Sequence, residues 1–266
     1  MTDRYGVLGH PIAHSKSPLI HTLFAAQTGQ NIAYGQLQLP INGFESGVKQ
    51  LIAEGWRGAN VSLPFKTQAF VLANVLTARA QAAQAVNTLT FKNGVIYGDN
   101  TDGAGLIADL TDSLLYPLKK KRVLIIGAGG AARGVIQPLI NAGVAHLTIT
   151  NRTYEKSDAL AKFFQVDALA LNECVNCFDL VINATSASVS GLLPDIPLSV
   201  FGSHTLAYDM FYAKEPTVFM KLAAANGART ADGLGMLVAQ AAEAFFIWRG
   251  VYPATAPVLT LLRQRL

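Results

Sequence analysis

Three polar clusters follow short apolar runs in the first half of the chain. Residues 9–18 read Gly-His-Pro-Ile-Ala-His-Ser-Lys-Ser-Pro, residues 58–66 read Gly-Ala-Asn-Val-Ser-Leu-Pro-Phe-Lys, and residues 99–103 read Asp-Asn-Thr-Asp-Gly. Open α/β sheets bind ligands at strand ends, and hydroxyls, amides, a lysine and carboxylates are gathered there. A lysine ammonium can give a proton to an oxygen and steady the charge that develops on it. A second kind of chemistry is encoded from Arg122 to Arg133, where an apolar run ends in Gly127-Ala128-Gly129-Gly130-Ala131 and enters a helix-compatible segment. That order builds a strand, a tight turn and a helix N-terminus whose N–H groups can hold a phosphate.

Gly127-x-Gly129-x-x-Ala132 has the context that such a pattern needs: a strand before it, a helix after it, and a second strand over 146–150. The end of that second strand is where a carboxylate would bond the ribose 2′-hydroxyl of NAD. Asn151, Arg152 and Thr153 stand there instead, followed by Lys156. This is what a 2′-phosphate calls for, so the expected cofactor is NADP and the expected chemistry is hydride transfer. Arg152 and Lys156 also read as ordinary exposed charges.

These groups need a scaffold. Strand and helix signals alternate nearly throughout the 266 residues, which predicts an α/β protein with largely parallel sheets. Tyr5–Leu8 is the first strand, and Ser17 reads as the N-cap of a helix with Pro18 at its first position and Gly29 at its close. A strand over 33–39, a helix from near Asn42 with Glu45 as its capping box, and a strand over 58–63 come next. Asn93-Gly94 between 87–91 and 95–97 is a strong hairpin signal, and a helix over 104–114 follows. A fresh βαβ series begins at Arg122. The predicted domains are 1–101, completed by 237–266, and a Rossmann-type 102–236, so that the last helix returns to the first domain. Its apolar stripe of Leu237, Ala241, Ala244, Phe245 and Trp248 needs a partner.

A composition of 51% hydrophobic and 14% charged residues excludes a disordered chain. No apolar run is long enough to span a bilayer, and the N-terminal residues do not read as a signal peptide. The charge of +4 is dispersed, and Lys119–Arg122 reads as the lead-in to a buried strand, not a nucleic-acid site. The two cysteines, Cys174 and Cys177, have no second ligand pair for zinc, so no metal is expected, and so few cysteines suit a reducing, cytoplasmic setting.

The chain resembles the shikimate dehydrogenase family along essentially its whole length. The matching motifs are His14-Ser15-x-Ser17-Pro18, Asn60 to Lys66, Ala85–Thr88, Asn100–Gly103, the glycine turn, Asn151–Thr153, Asp209–Tyr212 and Gly233–Gln240. The resemblance implies NADPH-dependent reduction of 3-dehydroshikimate to shikimate in aromatic amino-acid biosynthesis, in a cleft between two domains that close about a hinge. It makes Lys66 and Asp102 the catalytic pair. Ser15 and Ser17 would bind the substrate carboxylate, and Asn60, Ser62, Asn87 and Gln240 its ring hydroxyls, with Tyr212 nearby. Met210 and Gly233 would lie near the nicotinamide. A homodimer is compatible with this reading. Simpler roles stand beside it: Lys66 as a solvated charge, Asp102 as a helix N-cap, Gln240 as a satisfied core amide.

Some positions depart from the family. Ser62 replaces the commoner Thr, Thr22 follows His21 where Asn is usual, and the loop from Asn183 to Gly191 lacks the usual Gly-Met. The competing readings are a quinate or quinate/shikimate enzyme, often NAD-dependent, and a non-catalytic NADP-binding sensor on the same fold. A folate-linked dehydrogenase of similar plan would give no reason for the serine box.

Overall fold

The computed structural model describes residues 2–193 and 195–266. They divide into two compact units, one of residues 1–105 with 238–261 and one of residues 106–237 with 262–266.

In the first unit β1 (Asp3–Gly9), α1 (Ser17–Thr28), β2 (Ile32–Gln38), α2 (Phe44–Ala53) and β3 (Gly58–Val61) are followed by α3 (Lys66–Leu72), β4 (Val75–Leu76) and α4 (Ala78–Ala83). The hairpin β5 (Thr88–Lys92) and β6 (Val95–Asp99) then leads into α5 (Asp102–Ala108). The sheet order is β2-β1-β3-β5-β6-β4, with β5 antiparallel to both β3 and β6. Asn93 (φ 53°) and Gly94 (φ 75°) make the tight turn that their sequence announces. One face of the sheet closes over Leu8, Phe44, Val48, Val61, Phe65 and Leu89.

The second unit contains β7 (Arg122–Ile126), α6 (Gly130–Asn141), β8 (His146–Thr150), α7 (Tyr154–Phe164), β9 (Asp167–Leu169), β10 (Leu180–Asn183), β11 (Leu206–Asp209), α8 (Val218–Ala225) and β12 (Arg229–Asp232). Its sheet is wholly parallel in the order β12-β11-β10-β7-β8-β9. The strand order reverses between β7 and β10, and a doubly wound sheet opens its ligand crevice at that point. Two helices end the chain, α9 (Leu234–Arg249) and α10 (Thr255–Gln264).

The apolar stripe of α9 finds its partner in the first unit. Phe245 and Trp248 pack with Tyr5, His21, Phe24 and Tyr34, and the Trp248 indole N–H donates to the Leu89 carbonyl at 3.1 Å. Gly58 has to be glycine here, since a Cβ would lie 2.4 Å from that same carbonyl.

Several local expectations are corrected. Ser17 is not an N-cap: the backbone is already helical at Lys16, so Ser17 is the first helical residue and Pro18 the second. Ser15 Oγ accepts the Ser17 N–H at 3.3 Å and serves that end of the helix instead. No capping box forms at Asn42, because a turn from Pro40 to Gly43 uses that residue, and Glu45 pairs with Lys49 at 2.7 Å. The third strand stops at Val61, where Ser62 opens a turn to Phe65. The helix predicted over 104–114 starts at Asp102 and widens into a π turn over Asp109–Ser113. Its buried Asp109 carboxyl accepts the Tyr208 hydroxyl at 2.6 Å. Sequence reading missed α3, β4, α4, β9 and α10, most of them too short to show a period.

Candidate active site

The first unit's polar clusters leave the sheet together. β1 and β3 are parallel neighbours, with Val7 opposite Asn60, so the loops after them emerge side by side. The His10 N–H donates to the Leu63 carbonyl at 3.0 Å and Ser62 N–H to the Leu8 carbonyl at 2.8 Å, which joins the two loops. The antiparallel β5 starts at this same end, where Val61 N–H reaches Asn87 O at 2.8 Å, and β6 finishes there.

At that end Lys66 Nζ donates to Asp102 Oδ2 at 2.5 Å, with the two side chains 25% and 11% exposed. Asp102 Oδ1 accepts from Asn87 Nδ2 at 2.8 Å, and the Asp102 backbone N–H is held by Asn100 Oδ1 at 3.1 Å. Asn87 Nδ2 also lies 3.0 Å from Thr101 Oγ1 and 3.3 Å from Gln240 Oε1, while its own oxygen accepts the Thr101 N–H at 2.8 Å and the Thr88 hydroxyl at 2.9 Å. Lys66, Asn87, Asp102 and Gln240, from four separate segments, thus form one network. Asn60 adjoins it. Both its amide hydrogens go inward, to Asn87 O and Thr88 Oγ1, and its oxygen accepts the Tyr34 hydroxyl at 2.7 Å.

The network is braced from behind. Asp99 accepts two hydrogen bonds from Arg79, at 2.6 and 2.9 Å, as well as the Asn100 N–H at 2.7 Å. Burial would raise the Asp99 carboxyl, but the Arg79 guanidinium, the Thr77 hydroxyl and the Asn100 N–H together outweigh it and hold the group below the usual carboxylate range. Arg79 also reaches Glu243 of α9, one turn from Gln240, at 2.8 Å.

Ser15 sits on the loop after β1, and Ser17, buried, opens α1 at its end. Gln36 Nε2 points at the Ile12, Ala13 and Ser15 carbonyls, at 3.0–3.3 Å, and pins that loop. Ser62 lies on the neighbouring loop. Sequence reading missed Thr88 and Thr101. Both were in view as the threonines of Ala85–Thr88 and Asn100–Gly103, but neither is a type that announces chemistry.

In the second unit the glycine turn has the shape a dinucleotide phosphate requires. Gly127 has φ +115°, and a Cβ there would lie 3.1 Å from the Ala184 carbonyl at the end of β10. At Gly129 and Gly130 a Cβ would meet nothing within 4 Å, and no side chain caps α6. Its first N–H groups have no side-chain partner, and a helix start left in that way fits an anion. Past β8, Asn151, Arg152 and Tyr154 line one side of a cavity of about 390 Å³ whose other walls are 170–172 and 195–197. Thr153 precedes α7, and Lys156 is exposed on that helix's first turn. Met210 and Gly233 are neighbours, since a Gly233 Cβ would be 2.2 Å from the Met210 carbonyl oxygen. Tyr212 follows two residues on, its phenol pushed up by burial and by Asp232.

Cys174 and Cys177 are free thiols. Cys177 Sγ lies 3.6 Å from His204 Nε2, and among the described residues no cluster of metal-ligating side chains forms. Nor, among those residues, is any helix long and apolar enough to cross a membrane.

A glycine-turn Rossmann unit with a basic second-strand end, together with a unit carrying a Lys–Asp pair, defines a nicotinamide-dinucleotide oxidoreductase of two α/β units. Residues 7–89 match the shikimate dehydrogenase substrate binding domain, 109–192 the shikimate/quinate 5-dehydrogenase domain and 233–263 the shikimate 5′-dehydrogenase C-terminal domain. The shikimate dehydrogenase (NADP⁺) of Cupriavidus necator is 50% identical, over 100% of this chain and 95% of that protein. Among solved structures, the Ael1 enzyme of Pseudomonas putida superposes with a TM-score of 0.94 at 46% identity over 98% of each chain. Shikimate 5-dehydrogenase of Thermus thermophilus, solved with NADP(H) and shikimate, gives 0.92 at 32% over 100% of each. The chain belongs to the shikimate dehydrogenase family.

Proposed function

We propose that the chain catalyses the reversible, NADPH-dependent reduction of 3-dehydroshikimate to shikimate, with the proton chemistry at Lys66 and Asp102. The observation that carries this reading is the 2.5 Å contact between Lys66 Nζ and Asp102 Oδ2. An ammonium has three donors, and Asp102 takes one, which leaves two for a substrate oxygen. When bound, NADPH supplies a hydride to the carbonyl carbon. Lys66 then gives a proton to the carbonyl oxygen and stabilises the alkoxide as it forms. Asp102 is fixed on one oxygen by Asn87. It aims the ammonium and accepts a substrate hydroxyl.

Ser15 and Ser17 take the ring carboxylate, and Ser62, Asn87, Gln240 and Tyr212 the hydroxyls. Asn60 acts through its remaining oxygen lone pair and by holding Asn87. For the cofactor, residues 127–131 hold the pyrophosphate, Asn151 to Thr153 with Lys156 the 2′-phosphate, and Met210 and Gly233 the nicotinamide. The sparse, free cysteines suit a cytoplasmic enzyme. Initial rates with shikimate and NADP⁺, set beside quinate and NAD⁺, test the reading. Turnover chiefly of the first pair is expected, and preference for quinate with NAD⁺ would refute it.

A further inference from the structure

Asp209 ends β11 and is fully buried. Its Oδ1 accepts from Asn183 Nδ2 at 3.2 Å and from the Phe211 N–H at 3.1 Å. Its Oδ2 accepts from Ser188 Oγ at 2.5 Å and Thr217 Oγ1 at 2.7 Å. The direction of the two hydroxyl bonds is set by their other partners. Ser188 Oγ accepts from Asn183 Nδ2 and Thr217 Oγ1 from the Met220 N–H, so each hydroxyl hydrogen is left for the carboxylate. Among the described residues no cation lies within ion-pair distance of it. A buried carboxylate without a cation is costly to keep as a mere filler of space.

Two of the four donors, Asn183 and Ser188, belong to the end of β10 and the segment that follows it. Asn183 Oδ1 accepts both the N–H and the hydroxyl of Thr185, at 3.2 and 2.7 Å, and Thr185 Oγ1 accepts the Ala187 N–H. The segment so folded is the one that rests on the phosphate-binding turn, with Ala184 and Thr185 atoms 3.1 Å from where a Gly127 Cβ would be. The Met210 N–H, next to Asp209, is bonded to Asn183 O at 3.0 Å. We infer that Asp209 is a positioning residue for the cofactor, one that locks residues 183–188 against the glycine turn and fixes Met210 at the nicotinamide end. This deepens the NADP reading above and rests on it.

The Asp209→Asn side chain would keep its oxygen toward the two fixed N–H donors and turn its amide toward two hydroxyl oxygens that already accept. Binding of NADPH is compared with that of adenosine 2′-monophosphate, which carries the 2′-phosphate but neither the pyrophosphate nor the nicotinamide. The expected result is NADPH binding weakened on the order of tenfold, with adenosine 2′-monophosphate bound as by the unmodified enzyme and KM for shikimate unchanged. Ser188→Ala and Thr217→Val remove one donor each and should shift NADPH binding the same way by less, which keeps the test open if Asp209→Asn does not fold. Equal weakening of both nucleotides, or unaltered NADPH binding in all folded variants, would overturn the inference. Failure of the unmodified protein to bind NADPH would instead strike the cofactor reading, before any variant is compared.

Discussion

Asn87 shows how the site spends its hydrogen bonds. Its amide faces Asp102, Thr101 and Gln240, and its oxygen takes a backbone N–H and a hydroxyl, so one side chain fixes the carboxylate that aims Lys66. Arg152 has the opposite character: it is exposed, lines an open cavity, and keeps its charge for a ligand. A charge-assisted bond to a 2′-phosphate contributes about 1.5–3 kcal/mol. Arg152→Ala is therefore expected to raise KM for NADP⁺ by roughly 10- to 100-fold while leaving that for NAD⁺ nearly unchanged. Equal effects on the two would contradict the assignment. Residues of chemical type at motif positions, such as Lys66 and Arg152, were legible in the sequence. Thr88, Thr101, Tyr34 and Arg79 were not, because their importance lies in bonds to groups distant in the chain.

Among the elements, the glycine turn does the most with the least. Gly127 combines a left-handed φ with a carbonyl 3.1 Å from where a Cβ would sit. Gly127→Ala has to strain the backbone or push β10's end away, at a cost of about 1–3 kcal/mol. The expected outcome is weakened NADPH binding in a fluorescence titration, with shikimate binding retained. An unchanged NADPH affinity would contradict the role given to the turn. The long periodic elements of the second unit could be read from pattern, since a parallel buried strand and an amphipathic helix each carry many residues of evidence. Short elements could not. α3, β4 and α4 are set by the turns around them, and Ser17 lost its expected cap because the chain enters the helix one residue early.

At the scale of the whole molecule, burial of titratable groups sets the response to acid. His21 is fully buried, stacked on Tyr34 at 4.1 Å, and neither ring nitrogen has a hydrogen bond of good geometry. Burial outweighs the nearby Asn60 amide and brings its pKa down to about 3 from 6.5. Below pH 6.5 the unfolded chain takes up a proton that the folded one refuses, so stability falls as pH drops from 6.5 toward 3. The loss is roughly 1.4 kcal/mol per pH unit, or about 2 kcal/mol by pH 5. Between pH 7.5 and pH 5 the Tm of the wild type should fall relative to that of His21→Leu in thermal unfolding, and an unchanged offset between the two would refute it. The two-unit plan, its Rossmann half and its motif residues were visible from sequence. The return of the last helix to the first unit was expected from its apolar stripe, which needs a partner, and residues 238–261 group with that unit. The measurement that bears most directly on the account is shikimate oxidation by Lys66→Ala with NADP⁺, with shikimate binding followed alongside. Turnover should fall roughly 10²- to 10⁴-fold with the substrate still bound. Undiminished turnover would remove the Lys66–Asp102 pair from the chemistry and contradict the account.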